Sequence, residues 1–171
     1  MMVKMSDGIG KIVEGYNSVI SALENNRVLE IITLEKNIDS KKVKNLIKIA
    51  QQKKVEVKNI KSKNEWKFTS TEYVAAICVT KTIYSESDLK KFDETNFIVC
   101  DHIQDTNNLG AIARSAASFD FNVMCVPERR SARLSERTFK ISSGGLEKID
   151  ILEYKYCLLY SSPSPRDLAQ S

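Results

Sequence analysis

An α/β protein made of two successive units is the fold the sequence predicts, and three observations carry that reading. Short apolar runs at residues 28–34, 55–60, 73–79, 97–100 and 123–126 recur at intervals that admit helices between them, the pattern of strands alternating with helices. Between the last two runs the apolar period becomes helical: Leu109, Ile112, Ala113, Ala116 and Phe119 fall on one stripe, so residues 97–127 read as strand–loop–helix–strand. Composition allows packed cores, since 42% of the 171 residues are hydrophobic and 28% are charged, and that length suits one or two small domains.

Taken in order, residues 1–11 form a loose N-terminus. Gly8-x-Gly10-Lys11 has no strand before it and no Ser or Thr after it, which removes a phosphate-loop reading. A first unit opens at residues 13–23, where Tyr16, Val19, Ile20 and Leu23 recur at helical spacing. Residues 28–34 read as a strand. Ser40 then caps a helix whose buried stripe is Val43, Leu46, Ile47 and Ala50. Residues 55–60 alternate as a strand, and residues 73–79 read as a central one. Together these predict a compact α/β/α layer.

Charge concentrates inside that unit. Between residues 41 and 63 stand nine lysines against one acid, Glu56. A solvated helix face would explain them, and so would an electrostatic footprint for phosphate. On the second reading Lys41, Lys42, Lys44, Lys48, Lys53 and Lys54 are candidate RNA-binding residues. Trp66 and Phe68 follow, where an aromatic is more often core than a base-stacking platform.

Residues 83–95 are polar and strand-poor, a linker with at most one short helical turn. The run at 97–100 then reads as a strand buried on both faces. Asn107 or Asn108 is placed to cap the following helix, and Gly110 admits close approach of a backbone or ligand. Arg114 lies about 200° around the helix from Ile112, off the apolar stripe. In such units ligands gather where strands end and helices begin. After Pro127 come Arg129, Arg130, Arg133 and Arg137, whose guanidinium forks suit phosphate; pairing with Glu128 and Glu136 on an exposed helix start is the alternative.

Other chemistries find little support. Cys78, Cys100, Cys125 and Cys157 lack metal-ligand spacing, and three of them sit in apolar runs, as in a reducing cytoplasm. His102 is the only histidine; Asp101 and Cys100 precede it, but neighbours on a strand point to opposite faces, which disfavours a hydrolytic triad. No metal cluster is visible, no apolar run approaches a membrane span, and no signal peptide is apparent. A dinucleotide fold of the doubly wound kind would need a glycine fingerprint after a strand and an acidic ribose reader, and both are missing.

The pattern Asp101-x-x-x-Asp105-x-x-Asn108-x-Gly110-x-x-x-Arg114-x-Ala116 closely resembles the first motif of the SpoU (TrmH-like) ribose 2′-O-methyltransferases of the SPOUT superfamily. Val126-Pro127-(x)3-Ser131-Ala132 and Ser142-Ser143-Gly144-Gly145-Leu146-Glu147 resemble that family's continuation, and Gly15-Tyr16-Asn17-Ser18-Val19 its first helix. The chain departs from the pattern at Thr106, Asp120 and Gly145, where the family usually has proline, glycine and alanine. The resemblance implies an RNA-binding domain of ribosomal-protein type over residues 12–82, then the first half of a knotted α/β methyltransferase domain over residues 96–156. It also implies methyl transfer from S-adenosylmethionine to a ribose 2′-oxygen, on ribosomal RNA, by a cytoplasmic homodimer without metal or membrane attachment. Arg114 matches the catalytic arginine, and Asn108 would fix the loop and help position it.

Two later motifs of the family, a glycine-rich segment with a glutamate and a Ser-Leu-Asn run, do not occur here. Residues 157–171 instead resemble the translation of a sequencing adapter and are set aside as a non-native tail. The expectation is therefore a fragment that lacks the cofactor-binding motifs and is inactive by itself. A non-catalytic RNA-binding module is the alternative.

Overall fold

The computed structural model describes residues 8–129 and 131–155. Arg130 and the tail assigned to residues 157–171 lie outside them. Among the described residues no helix is long and apolar enough to cross a membrane.

The first unit is a four-stranded sheet of order β1-β4-β2-β3, with β1 at Ile12–Glu14, β2 at Val28–Leu34, β3 at Glu56–Ile60 and β4 at Val74–Cys78. Strand β3 runs parallel to β2, while β4 is antiparallel to both β1 and β2. Helices α1 (Tyr16–Glu24) and α2 (Lys41–Gln52) cover one face. Ser40 caps α2 as its sequence suggests, its hydroxyl accepting from the Val43 amide at 3.2 Å. Val43, Leu46 and Ala50 are buried beneath it with Ile31 and Ala76, and burying each large side chain contributes about 1.5–3 kcal/mol. The helix expected over 13–23 starts later: Val13 belongs to β1, and Gly15, at φ 90°, turns the chain before Tyr16.

The second unit is an all-parallel sheet of order β5-β8-β7-β6. It comprises β5 (Ile83–Ser85), β6 (Phe97–Val99), β7 (Val123–Pro127) and β8 (Asp150–Tyr154), with α3 (Thr106–Ser118), α4 (Glu136–Ile141) and α5 (Gly145–Lys148) between strands. Several expectations need correction here. Residues 83–95 hold the short helical turn expected of them, the 3-10 helix Glu86–Lys91, but 83–85, expected to be strand-poor, form an edge strand paired with β8. The run at 97–100 is not buried on both faces, because β6 is the opposite edge, and Val99 is 54% exposed. Phe119 leaves the apolar stripe, being 76% exposed where α3 has already ended.

The two units share one continuous core, which draws on Val19, Ile31 and Leu46 from the first and Leu109, Phe139 and Ile151 from the second. An ion pair fastens them. Arg27 Nη1 donates to both Glu147 carboxylate oxygens at 2.8 and 2.7 Å, Nη2 to the Gly10 carbonyl at 2.6 Å and Nε to the Val79 carbonyl at 3.0 Å. Lys81 Nζ adds a bond to the Glu147 carbonyl at 3.1 Å. Gly10, at φ 72°, has no room for a Cβ, which would meet the Phe139 ring at 2.6 Å.

Candidate functional site

The carboxyl ends of β6 and β7 lie side by side, and the chain leaves each into a polar loop. Past β6, His102 adopts φ 54°, and its Nδ1 stands 3.0 Å from Asp101 Oδ1. Sequence neighbours expected to point apart thus meet, because the strand has ended before them. The Cys100 thiol is no nucleophile: burial, and then the neighbouring Cys125, push it up to about 11. The loop is tied across to the one after β7, where the Ala132 amide and the Ser131 hydroxyl both donate to the Ile103 carbonyl, at 2.6 and 3.0 Å.

Asp105, rather than either asparagine, caps α3; its carboxylate accepts from the Asn107 amide at 2.9 Å and from Asn107 Nδ2 at 3.0 Å. Thr106 therefore takes the first helical position, where a proline is also well accommodated. The buried side of α3 is made of Leu109, Gly110, Ala113 and Ala116. Gly110 serves packing between helices: a Cβ there would meet Ile141 at 2.8 Å. Gly145 does the same from α5, since its Cβ would meet the Arg114 Cα at 2.7 Å. Two glycines thus press α4 and α5 against α3 and fix the backbone at Arg114.

The Arg114 side chain itself is exposed and forms no ion pair among the described residues. Asn108 is exposed as well, but six residues along a helix set it about 120° from Arg114, so the two do not share a face. Asn107, seven residues before Arg114, lies within about 20° of it. Sequence reasoning used Asn107 only as a capping candidate. Its Oδ1 accepts from Arg137 Nη2 at 3.2 Å, so Arg137 joins the site from α4. The i, i+7 spacing of Asn107 and Arg114 was the available signal.

Asn107, Arg137 and Lys140 form one wall of a cleft of about 690 Å³ whose other wall, Glu14 and Thr69, comes from the first unit. Lys140 Nζ donates to Thr69 Oγ1 at 3.0 Å and stands 3.8 Å from Glu14, to which Thr69 also donates at 2.7 Å. Arg129 and Arg133 are exposed on the loop after β7, away from the residues lining this cleft. All nine lysines between residues 41 and 63 are exposed. Lys44 pairs with Asp39 at 3.1 Å, and Lys53 donates to Asn26 Oδ1 at 2.7 Å. Among the described residues, no group of three His, Cys, Asp or Glu could hold a metal ion.

Comparison with known proteins matches two family models. Residues 12–72 match the substrate-binding domain of RNA 2′-O ribose methyltransferases, and residues 95–159 match the SpoU rRNA methylase family. The 23S rRNA (guanosine-2′-O-)-methyltransferase RlmB of Acinetobacter baylyi is 28% identical over 148 residues, covering 81% of this chain and 59% of that protein. The putative TrmH family tRNA/rRNA methyltransferase YacO of Bacillus subtilis is 25% identical, covering 81% and 59%. The chain thus spans rather more than half the length of these relatives. Among solved structures, the SpoU methyltransferase AviRb of Streptomyces viridochromogenes with AdoMet aligns at a TM-score of 0.63 with 18% identity, covering 92% of this chain and 56% of that one. An rRNA methyltransferase of Sinorhizobium meliloti aligns at 0.62 with 16% identity, covering 85% and 54%.

Proposed function

Because this chain belongs to the SpoU family, we propose that it supplies the RNA-holding domain and the arginine-bearing wall of a ribose 2′-O-methyltransferase. The observation that carries this reading is Arg114: exposed, fixed at its backbone by Gly145, and set in a unit clasped through Arg27 and Glu147 to the one that bears the lysines. Methyl transfer to a 2′-hydroxyl builds negative charge on that oxygen as its proton leaves. A guanidinium with a pKa above about 12 cannot take that proton, but its planar donors can hold the ribose oxygen or an adjacent phosphate as the charge develops. Asn107 and Arg137 continue the polar track beside it, and the lysines of α2 hold the RNA further out.

The methyl donor of this reading is S-adenosylmethionine. The cleft at the carboxyl ends of β5 and β8 measures about 410 Å³ and gathers Glu86, Glu128 and Glu153, and none of the six glycines lines it. Burial, and then Glu128, raise the Glu153 carboxyl above its ordinary value. On this reading residues 8–155 are an inactive part of the site, because neither the family's glycine-rich segment with a glutamate nor its Ser-Leu-Asn run occurs among them. A second reading, an RNA-binding module without catalysis, rests on the same lysines and does without the two later motifs of the family. The same proposal places the target in ribosomal RNA, the protein in the cytoplasm, and the working form as a homodimer.

Arg114→Ala, introduced into the gene in its own cell, tests the catalytic reading. Nucleoside mass spectrometry of the RNA should show one 2′-O-methylated nucleoside lost, with Arg114→Lys restoring little of it because a point charge lacks the guanidinium fork. An unchanged methylation profile in Arg114→Ala would remove the arginine from the mechanism.

A further inference from the structure

We propose that the first unit carries a nucleotide subsite separate from the α2 lysines: a cleft on the outer face of its sheet that takes an unpaired base of single-stranded RNA against Phe68. This rests on the RNA reading above and adds to it the kind of RNA and the place where it is held.

The cleft follows from strand alternation. Ile31 pairs with Val57, and both turn toward the core shared with α1 and α2. The next pair, Ile32 and Lys58, therefore faces the opposite way, and Ile60 follows Lys58 on the same face. A floor of Ile32 and Ile60 results, with Lys58 at its edge. After β3 the chain turns through a 3-10 segment, Lys63–Glu65, which Ser62 caps by accepting from the Asn64 amide at 3.2 Å. It then lays three aromatic rings together. Trp66 sits edge-on to Phe68 at 4.9 Å and to Tyr73 at 5.5 Å, and its Nε1 donates to the Ser70 carbonyl at 3.1 Å. Trp66 is thus the fixed prop, and the half-buried Phe68 lines the open cleft of about 530 Å³.

Size and chemistry favour a nucleotide. The volume falls in the range of small-ligand sites, and an aromatic face beside a basic rim is how proteins hold unpaired bases. Lys58 and Lys67 stand on the rim with Asn64, whose amide offers both a donor and an acceptor to a base edge. Among the described residues Glu65 is the one acid on the lining. Over residues 53–67 six lysines face two glutamates, which sets the sign of the partner's charge. Along a duplex no single base can enter such a cleft, because its bases are paired and stacked on their neighbours. A base of single-stranded RNA can.

Trp66 is the chain's only tryptophan and touches the proposed wall, so its fluorescence reports occupancy directly. The full chain would be titrated with a short oligouridylate and with a blunt RNA duplex, following Trp66 emission and, separately, the anisotropy of labelled RNA. The subsite predicts a saturable change in Trp66 emission with the single strand and none with the duplex. Lys58→Gln with Lys67→Gln should weaken oligouridylate binding about tenfold while leaving duplex binding within about twofold. Phe68→Leu, which keeps the apolar bulk but loses the aromatic face, should weaken the single strand about fivefold or more. Single-strand binding seen by anisotropy with Trp66 silent, or unchanged in the double lysine variant, overturns the subsite and leaves the RNA reading standing. No binding of either RNA overturns both.

Discussion

Arg27 engages every side-chain nitrogen, Nη1 across the junction to Glu147 and Nη2 and Nε to carbonyls of the first unit, and Glu147, 3% exposed, has that guanidinium as its main compensation. Burial dominates and holds the Glu147 carboxyl above its ordinary value, with Arg27 the strongest opposing influence. Arg27→Met would leave a buried carboxylate with only Lys81 near it, at a cost of about 3–5 kcal/mol. The pH dependence has a definite sign. A carboxyl whose pKa is raised on folding contributes stability that is present below its unfolded value, about 4.3, and is lost as pH rises through the folded value. The variant should therefore lose more stability relative to the parent at about pH 8 than at about pH 4. Urea unfolding at the two pH values checks this, and an equal loss at both would show that Glu147 does not carry the effect.

At the scale of elements, α3 is the support of the second unit's helical layer, because α4 and α5 approach it closely at Gly110 and Gly145. Gly145→Ala would press a methyl against the Arg114 backbone, now 2.7 Å from where that carbon would sit. The expected cost is about 1–3 kcal/mol, read by thermal unfolding, and an unchanged Tm would contradict the close packing. Legibility also divides by element. Strand β2 and the Ser40 cap of α2 could be read from the sequence because their signals are local: a short apolar run, and a hydroxyl three residues before an amide it can accept from. The cap of α3 could not, since Asp105, Asn107 and Asn108 are all competent, and only the structure shows Asp105 accepting from the Asn107 amide. The edge position of β6 depends on strand order, which no window of residues contains. The motif drew attention to Arg114 and Asn108, but the helix turns Asn108 about 120° away from Arg114 and brings Asn107 round instead. The Asn107–Arg137 contact was not legible, because it spans 30 residues and depends on how α4 meets α3.

For the molecule as a whole, one core and the Arg27–Glu147 clasp set the lysine-bearing unit and the Arg114 face in a defined relation. The proposed function requires the α2 lysines to hold RNA through phosphate contacts. The most direct measurement is the affinity of the full chain for a structured ribosomal RNA fragment as salt is raised from about 50 to about 200 mM. Lys41, Lys42, Lys44, Lys48, Lys53 and Lys54 are all exposed. If at least about four of them meet phosphates, counterion release should lower the affinity about a hundredfold across that range, and each lysine replaced should reduce the slope by about one. Absence of binding, or an affinity that stays flat with salt, would contradict the account.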